Sequence, residues 1–162
     1  MEGSEFRISP IGVVRSPVKT RPADDAWGGV VSKIELNGRR FSQESMAGLQ
    51  DFSHIQVVFY FHLVSPEEIQ SGARHPGSRT DWPKVGIFAQ RTRLRPNRLG
   101  VSTCRLLRVD GLSLSVLDLD AVDETPVIDL KPYVLEFGPK GDVRQPAWAS
   151  ELMSTYFDPL EK

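Results

Sequence analysis

The sequence predicts a mainly β fold, a single antiparallel barrel with a few short helices. Three observations lead to it. Short runs of apolar and polar residues in alternation recur along the chain, each bounded by Gly, Pro, Asn or Asp. Asn37-Gly38 and Asp110-Gly111 are tight-turn dipeptides beside such runs. Helical spacing is confined to two or three brief stretches, so strands dominate and argue for a barrel.

Size and composition set the bounds. At 162 residues the chain is long enough for one domain with a real core, expected to span 1–162 with the barrel over about 8–135. A hydrophobic content of 40% and a charged content of 25% are those of an ordinary globular protein. The net charge of −1 excludes a polycation that coats nucleic acid, so a nucleic-acid site must be a local patch. The lone Cys104 excludes an internal disulfide framework and fits a reducing compartment. No run has transmembrane length, and the start MEGSEFRISP has no apolar signal region. The expectation is a cytoplasmic protein without a membrane partner.

The elements follow in order. A first strand is expected around Ile11–Arg15, ended by Ser16-Pro17. RPADDAWGG, residues 21–29, is a loop by composition, and Trp27 within it is either an anchor on the body or a lid aromatic. Val30–Leu36 is a strand. Ser42–Leu49 reads as a short helix capped by Ser42, with Met46 and Leu49 on one face. His54–Val64 is the clearest strand: Ile55, Val57, Phe59, Phe61 and Leu63 form a core face, and His62 stands near its end on the other. Residues 65–84 form a long connection in which Pro66 can open one helical turn. Strands are expected at Val85–Gln90, Gly100–Val109, Leu112–Asp118 and Pro126–Leu130, with an acidic loop at Leu119–Thr125. Pro146–Phe157 reads as a closing helix that packs through Trp148, Leu152 and Tyr156.

The chemistry gathers in Gly86–Ser102, GIFAQRTRLRPNRLGVS. Arg91, Arg93, Arg95 and Arg98 stand on a loop stiffened by Pro96, and forked guanidinium groups suit phosphates and carboxylates. From Lys84 to Arg108 every charge is basic; from Asp110 to Asp129 every charge is acidic. Either the two blocks neutralise each other across the sheet or each builds a local field. Nucleotide-binding glycine motifs are absent, and His54, His62 and His75 have no zinc-ligand spacing, so no metal is expected.

The same stretch resembles the signature of the TrmO family, also described as YaeB-like or TsaA-like. Other segments resemble it in order: IGVVRSP at 11–17, GLQDFSH at 48–54, Phe61-His62, and DLDAVDETPVIDLKPY at 118–133. The resemblance spans about residues 8–135. It implies an antiparallel barrel that binds S-adenosylmethionine, commonly dimerises, and methylates N6 of threonylcarbamoyl-adenosine 37 in tRNA. Three residues depart from the pattern: Gln90 replaces a Thr, Arg98 a Pro and Glu124 a Gly. No C-terminal extension like that of longer members is expected.

Carried onto this chain, the resemblance implies a donor site of Trp27, His62, Leu63, Arg91, Leu99, Gly100, Asp120 and Asp123. A sulfonium and an ammonium favour carboxylates and aromatic faces. Arg91 would meet the donor's carboxylate, and Leu99 and Gly100 would approach its adenosine. The alternative for Asp123 and Arg91 is a mutual salt bridge joining two loops. Arg93, Arg95 and Arg98 would contact tRNA phosphates. Asp123, or solvent, would accept the proton lost from N6. A non-catalytic module binding S-adenosylmethionine or RNA, and a small-molecule methyltransferase, stand as alternatives.

Overall fold

The computed structural model describes residues 5–159. Alternation at Gly12–Arg15, Val31–Leu36 and His54–Tyr60 becomes strands β1, β2 and β3. Ala73–Arg74 and Val85–Gly86 are the short strands β4 and β5, followed by β6 (Leu99–Asp110), β7 (Ser113–Leu117), β8 (Pro126–Pro132) and helix α1 (Ala147–Leu152). Six of them close an antiparallel barrel in the order β1-β2-β7-β6-β3-β8, and β4 and β5 pair as a separate ribbon. Asp110-Gly111 joins β6 to β7 as expected, with Gly111 in the left-handed region at φ 59°.

The core lies inside the barrel. Ile55, Val57 and Phe59 on β3 are fully buried, beside Val14, Ile34, Cys104, Leu114, Val116 and Val127 from the other strands. Expected and observed elements differ at four places. Strand β3 ends at Tyr60, because the chain turns there: the Phe61 amide donates to Arg98 (2.8 Å) and the Val64 amide to Phe61 (3.2 Å). Leu63 therefore leaves the core face and is 60% exposed. The stretch 42–49 makes a 3-10 turn at Gln43–Met46 without a Ser42 side-chain cap, Ala47 closes it, and Gly48, at φ 82°, opens a second 3-10 turn at Leu49–Asp51. Val85–Gln90 is a strand only over Val85–Gly86, with a 3-10 turn at Ile87–Ala89. Helix α1 stops at Leu152; Trp148 packs on Trp82 at 6.5 Å between centroids, and Tyr156 lies beyond the helix.

Gly100 has a packing reason. An added Cβ would stand 2.4 Å from two ring carbons of Phe59, which covers the glycine from the neighbouring strand. Aromatic cover over a strand glycine fills the gap the missing side chain leaves. Gly100→Ala is expected to cost about 1–3 kcal/mol by overpacking. Denaturant unfolding checks this, and the pair Gly100→Ala with Phe59→Leu should recover part of the loss.

Candidate functional site

Antiparallel topology fixes which loops meet. The β1–β2 loop, the connection from β3 to β6, and the β7–β8 loop all leave from one end of the barrel. Trp27 is on the first, His62, Leu63 and the four arginines are on the second, and Asp120 and Asp123 are on the third. Leu99 and Gly100 begin β6 at the same end. All the sequence-derived candidates are thus gathered at one rim. A groove of about 440 Å³ that includes Met46, Phe52 and Leu130 opens at the opposite end and holds none of them.

The two acidic candidates have different partners. The Lys19 ammonium donates to Asp123 Oδ2 (2.6 Å) and the Ser16 amide to Oδ1 (2.9 Å). Those bonds, Lys19 first, hold the Asp123 carboxyl below the ordinary carboxylate range. Asp123 is neutralised in place and is a weaker base than a free carboxylate; its partner is Lys19, so the alternative of a mutual Asp123–Arg91 salt bridge does not form. Asp120 accepts instead from two neutral hydroxyls, Ser102 Oγ and Tyr156 Oη, the latter at 2.6 Å. Among the described residues Asp120 forms no salt bridge, and both of its hydroxyl partners are neutral.

Most of the arginine loop is tied to its own protein. Arg91 donates to the Val101 carbonyl, Arg95 to the Gln90 carbonyl (3.0 Å) and Arg98 to the Val64 carbonyl (2.7 Å). Arg93 faces Glu68 at 3.8 Å. Each guanidinium has five N–H groups, so donors remain on all four. Arg98 also packs on an aromatic: its guanidinium lies 4.7 Å over the Tyr60 ring, and its backbone is left-handed at φ 50°. Proline cannot adopt that φ, so the substitution at 98 comes with a different local backbone. Glu124 likewise sits at φ 62°, where glycine is free of strain, and its carboxylate pairs with Arg15. Gln90 is 9% exposed and donates to the Val85 (2.9 Å) and Arg74 (3.3 Å) carbonyls, clasping the β4–β5 ribbon.

Trp27 is an anchor in this chain. It is 3% exposed, and its indole N–H donates to Asp25 (3.2 Å). Burial alone would push the Asp25 carboxyl up, but the Arg21 fork outweighs it and holds the carboxyl low. His62 is half-buried in the turn that carries Leu63. Cys104 is no nucleophile: burial first, then the charges of Asp120 and Asp118, push its thiol up to about 12. Gly100 meets Phe59, as described above, which supplies a packing reason where close approach to an adenosine was expected.

Sequence reasoning missed Lys19, Ser102 and Tyr156. Ser102 carried a signal, since it occupies an inward position of β6 between Gly100 and Cys104, where a polar residue needs a partner. Tyr156 carried a weaker one, the general need of a packed phenol for an acceptor. Nothing in spacing marks Lys19.

Three comparisons bear on the site. The family model of the tRNA-methyltransferase O N-terminal domain matches residues 13–138. A probable S-adenosyl-L-methionine-binding protein of Methanothermobacter thermautotrophicus is 40% identical over 136 residues, covering 82% of this chain and 93% of that protein. The Escherichia coli tRNA (adenine(37)-N6)-methyltransferase is 34% identical over 139 residues, covering 81% of this chain and 59% of that enzyme. The crystal structure of TrmO from P. aeruginosa superposes with a TM-score of 0.71 at 28% identity, covering 91% of this chain and 63% of the other.

The ion pair at the rim has a pH signature. A carboxyl whose folded pKa is depressed contributes stability that is present above its unfolded pKa, about 3.9, and lost as pH falls through the folded value. The Asp123 carboxyl carbon should therefore titrate below the ordinary range by NMR, and Lys19→Ala should move its midpoint upward. An unchanged midpoint in Lys19→Ala would show that the pair does not form in solution.

Proposed function

Because the chain belongs to the tRNA-methyltransferase O family, we propose that it transfers a methyl group from S-adenosylmethionine to N6 of a modified adenosine, threonylcarbamoyl-adenosine 37, in tRNA. The observation that carries this reading is the Asp120 carboxylate, without a salt-bridge partner, at the rim where the other candidates meet. A donor with a sulfonium and an ammonium fits a carboxylate that has no salt-bridge partner of its own. Arg91, with donors left beyond its bond to Val101, is placed for the donor's carboxylate.

The bound donor supplies an electrophilic methyl group; the chain's part is to hold it in line with the attacking amine. Asp120 receives the cationic portion. The His62-Leu63 turn and Leu99 line the approach from the neighbouring loop. Arg93, Arg95 and Arg98 border the same rim and direct their spare N–H groups at phosphates, and solvent takes the N6 proton. A homodimer in the cytoplasm is part of the same reading.

A second reading is favoured by one observation. Arg91, Arg95 and Arg98 are each bonded to the protein's own carbonyls, which suits a module that binds the donor without acting on tRNA.

Calorimetry with S-adenosylmethionine comes first, and no binding by the unaltered chain undoes both readings. Asp120→Asn should weaken the donor by about tenfold or more, since a hydrogen bond to a charged group contributes about 1.5–3 kcal/mol. Labelled methyl transfer to bulk tRNA then separates the two. Label on adenosine N6, falling steeply with salt and lost in Arg93→Ala with Arg95→Ala, supports the enzyme. Donor binding with no labelled tRNA supports the module and sinks the enzyme.

A further inference from the structure

The segment after α1, Met153–Pro159, crosses the rim where the three loops meet. The Trp27 amide donates to the Tyr156 carbonyl (2.7 Å), and the Gly28 amide to the Asp158 carbonyl (3.0 Å). Gly28 and Pro159 form a parallel bridge. A Cβ at Gly28 would stand 1.9 Å from the Phe157 carbonyl oxygen, so the two backbones touch where only glycine fits. At its near end the segment is fixed by α1, where Trp82 Nε1 donates to Glu151 (2.9 Å) and stacks by Trp148. The strap is thus joined to the β1–β2 loop at one end and to the β3–β6 connection at the other. Between them, Tyr156 reaches the third loop through Asp120.

We infer that Tyr156 is a positioning residue for the methyl donor, holding the Asp120 carboxylate in the orientation that receives the donor's cationic portion. The inference rests on the proposed donor site. A carboxylate offers about four lone-pair directions, and Ser102 and Tyr156 use one on each oxygen. The remaining directions are left for the ligand, and two bonds on opposite oxygens fix the plane in which they lie. Both donors are neutral, so they orient the carboxylate without cancelling its charge. A lysine there would do what Lys19 does at Asp123. The phenol is suited to the task, because burial first and then the Asp120 charge keep it protonated, and it stays a donor at any working pH.

The strap could instead be a cover that the donor must displace. Its bonds argue against that, since lifting it would break two backbone hydrogen bonds, one of them part of the Gly28–Pro159 bridge, and the Tyr156 bond together. The two views also predict opposite signs. Tyr156→Phe deletes only the hydroxyl; the ring keeps its edge-on contact with Phe157, whose centroid is 5.0 Å away. A positioning role predicts donor affinity about tenfold weaker, the effect of losing one hydrogen bond to a charged group. A displaceable cover predicts tighter binding, in Tyr156→Phe and in Gly28→Ala alike.

Calorimetry with S-adenosylmethionine, run with thermal melting on each variant, decides. Ser154→Ala removes a side-chain bond to Glu151 on the same strap and should leave the affinity unchanged. A double-mutant cycle supplies a readout that general loosening would not move: in an Asp120→Asn background, Tyr156→Phe should add little further loss. Equal affinity in Tyr156→Phe and the unaltered chain overturns the inference and leaves the donor site standing. Tighter binding, or full additivity with Asp120→Asn, overturns it also. No binding by the unaltered chain overturns the donor site, and this inference falls with it.

Discussion

The structure depends on a short seam. Strand β1 has four residues, and only Gly12 and Val13 pair in register with β8, at Val127 and Pro126. Two further bonds lengthen the closure: the Val14 amide donates to Thr125 (2.9 Å) and the Glu124 amide to Val14 (2.9 Å). The ring is then complete, and closed barrels have no free strand edge. Closure also decides the chemistry. A sheet left open between β1 and β8 would separate the β1–β2 loop from the β7–β8 loop, and Lys19 would not reach Asp123. Gly12 has no side chain for the same reason of crowding, since a Cβ there would stand 2.4 Å from the Glu35 carbonyl oxygen of β2.

Much of this was legible beforehand. The period of two placed Ile55, Val57 and Phe59 inward, and Asp110-Gly111 marked its hairpin, because both are local consequences of backbone geometry. Illegible were the features that depend on distant partners. Leu63 continues the alternation, yet the chain turns before it, because Phe61 bonds to Arg98 across 37 residues of sequence. Helical spacing through Trp148, Leu152 and Tyr156 is real as a pattern, but Tyr156 is drawn off the helix by the Trp27 amide and Asp120. The site followed the same division. Its candidate residues follow from motif resemblance and their gathering at one rim from strand order, while the different partners of Asp120 and Asp123 depend on Tyr156 and Lys19, distant in sequence.

That division is electrostatic. Two carboxylates three residues apart are distinguished by whether their donors carry charge. Lys19 turns Asp123 into a strut between loops. Ser102 and Tyr156 hold Asp120 by hydroxyls that bring no charge of their own. The arginines obey a related logic, because a guanidinium bonded to a carbonyl remains a full cation with N–H groups to spare. Anchoring them to Val101, Gln90 and Val64 fixes where the positive charge stands.

The left-handed backbone at Arg98 has a consequence for descent. Proline is locked near φ −65°, and Arg98 sits at +50°, so the two residues belong to two loop conformations. A lineage cannot exchange one for the other in a single step without straining either the loop or the residue. Glycine accepts both signs of φ, which makes it the low-cost intermediate between the two forms. The arginine, once seated on Tyr60 and bonded to Val64, then resists reversal.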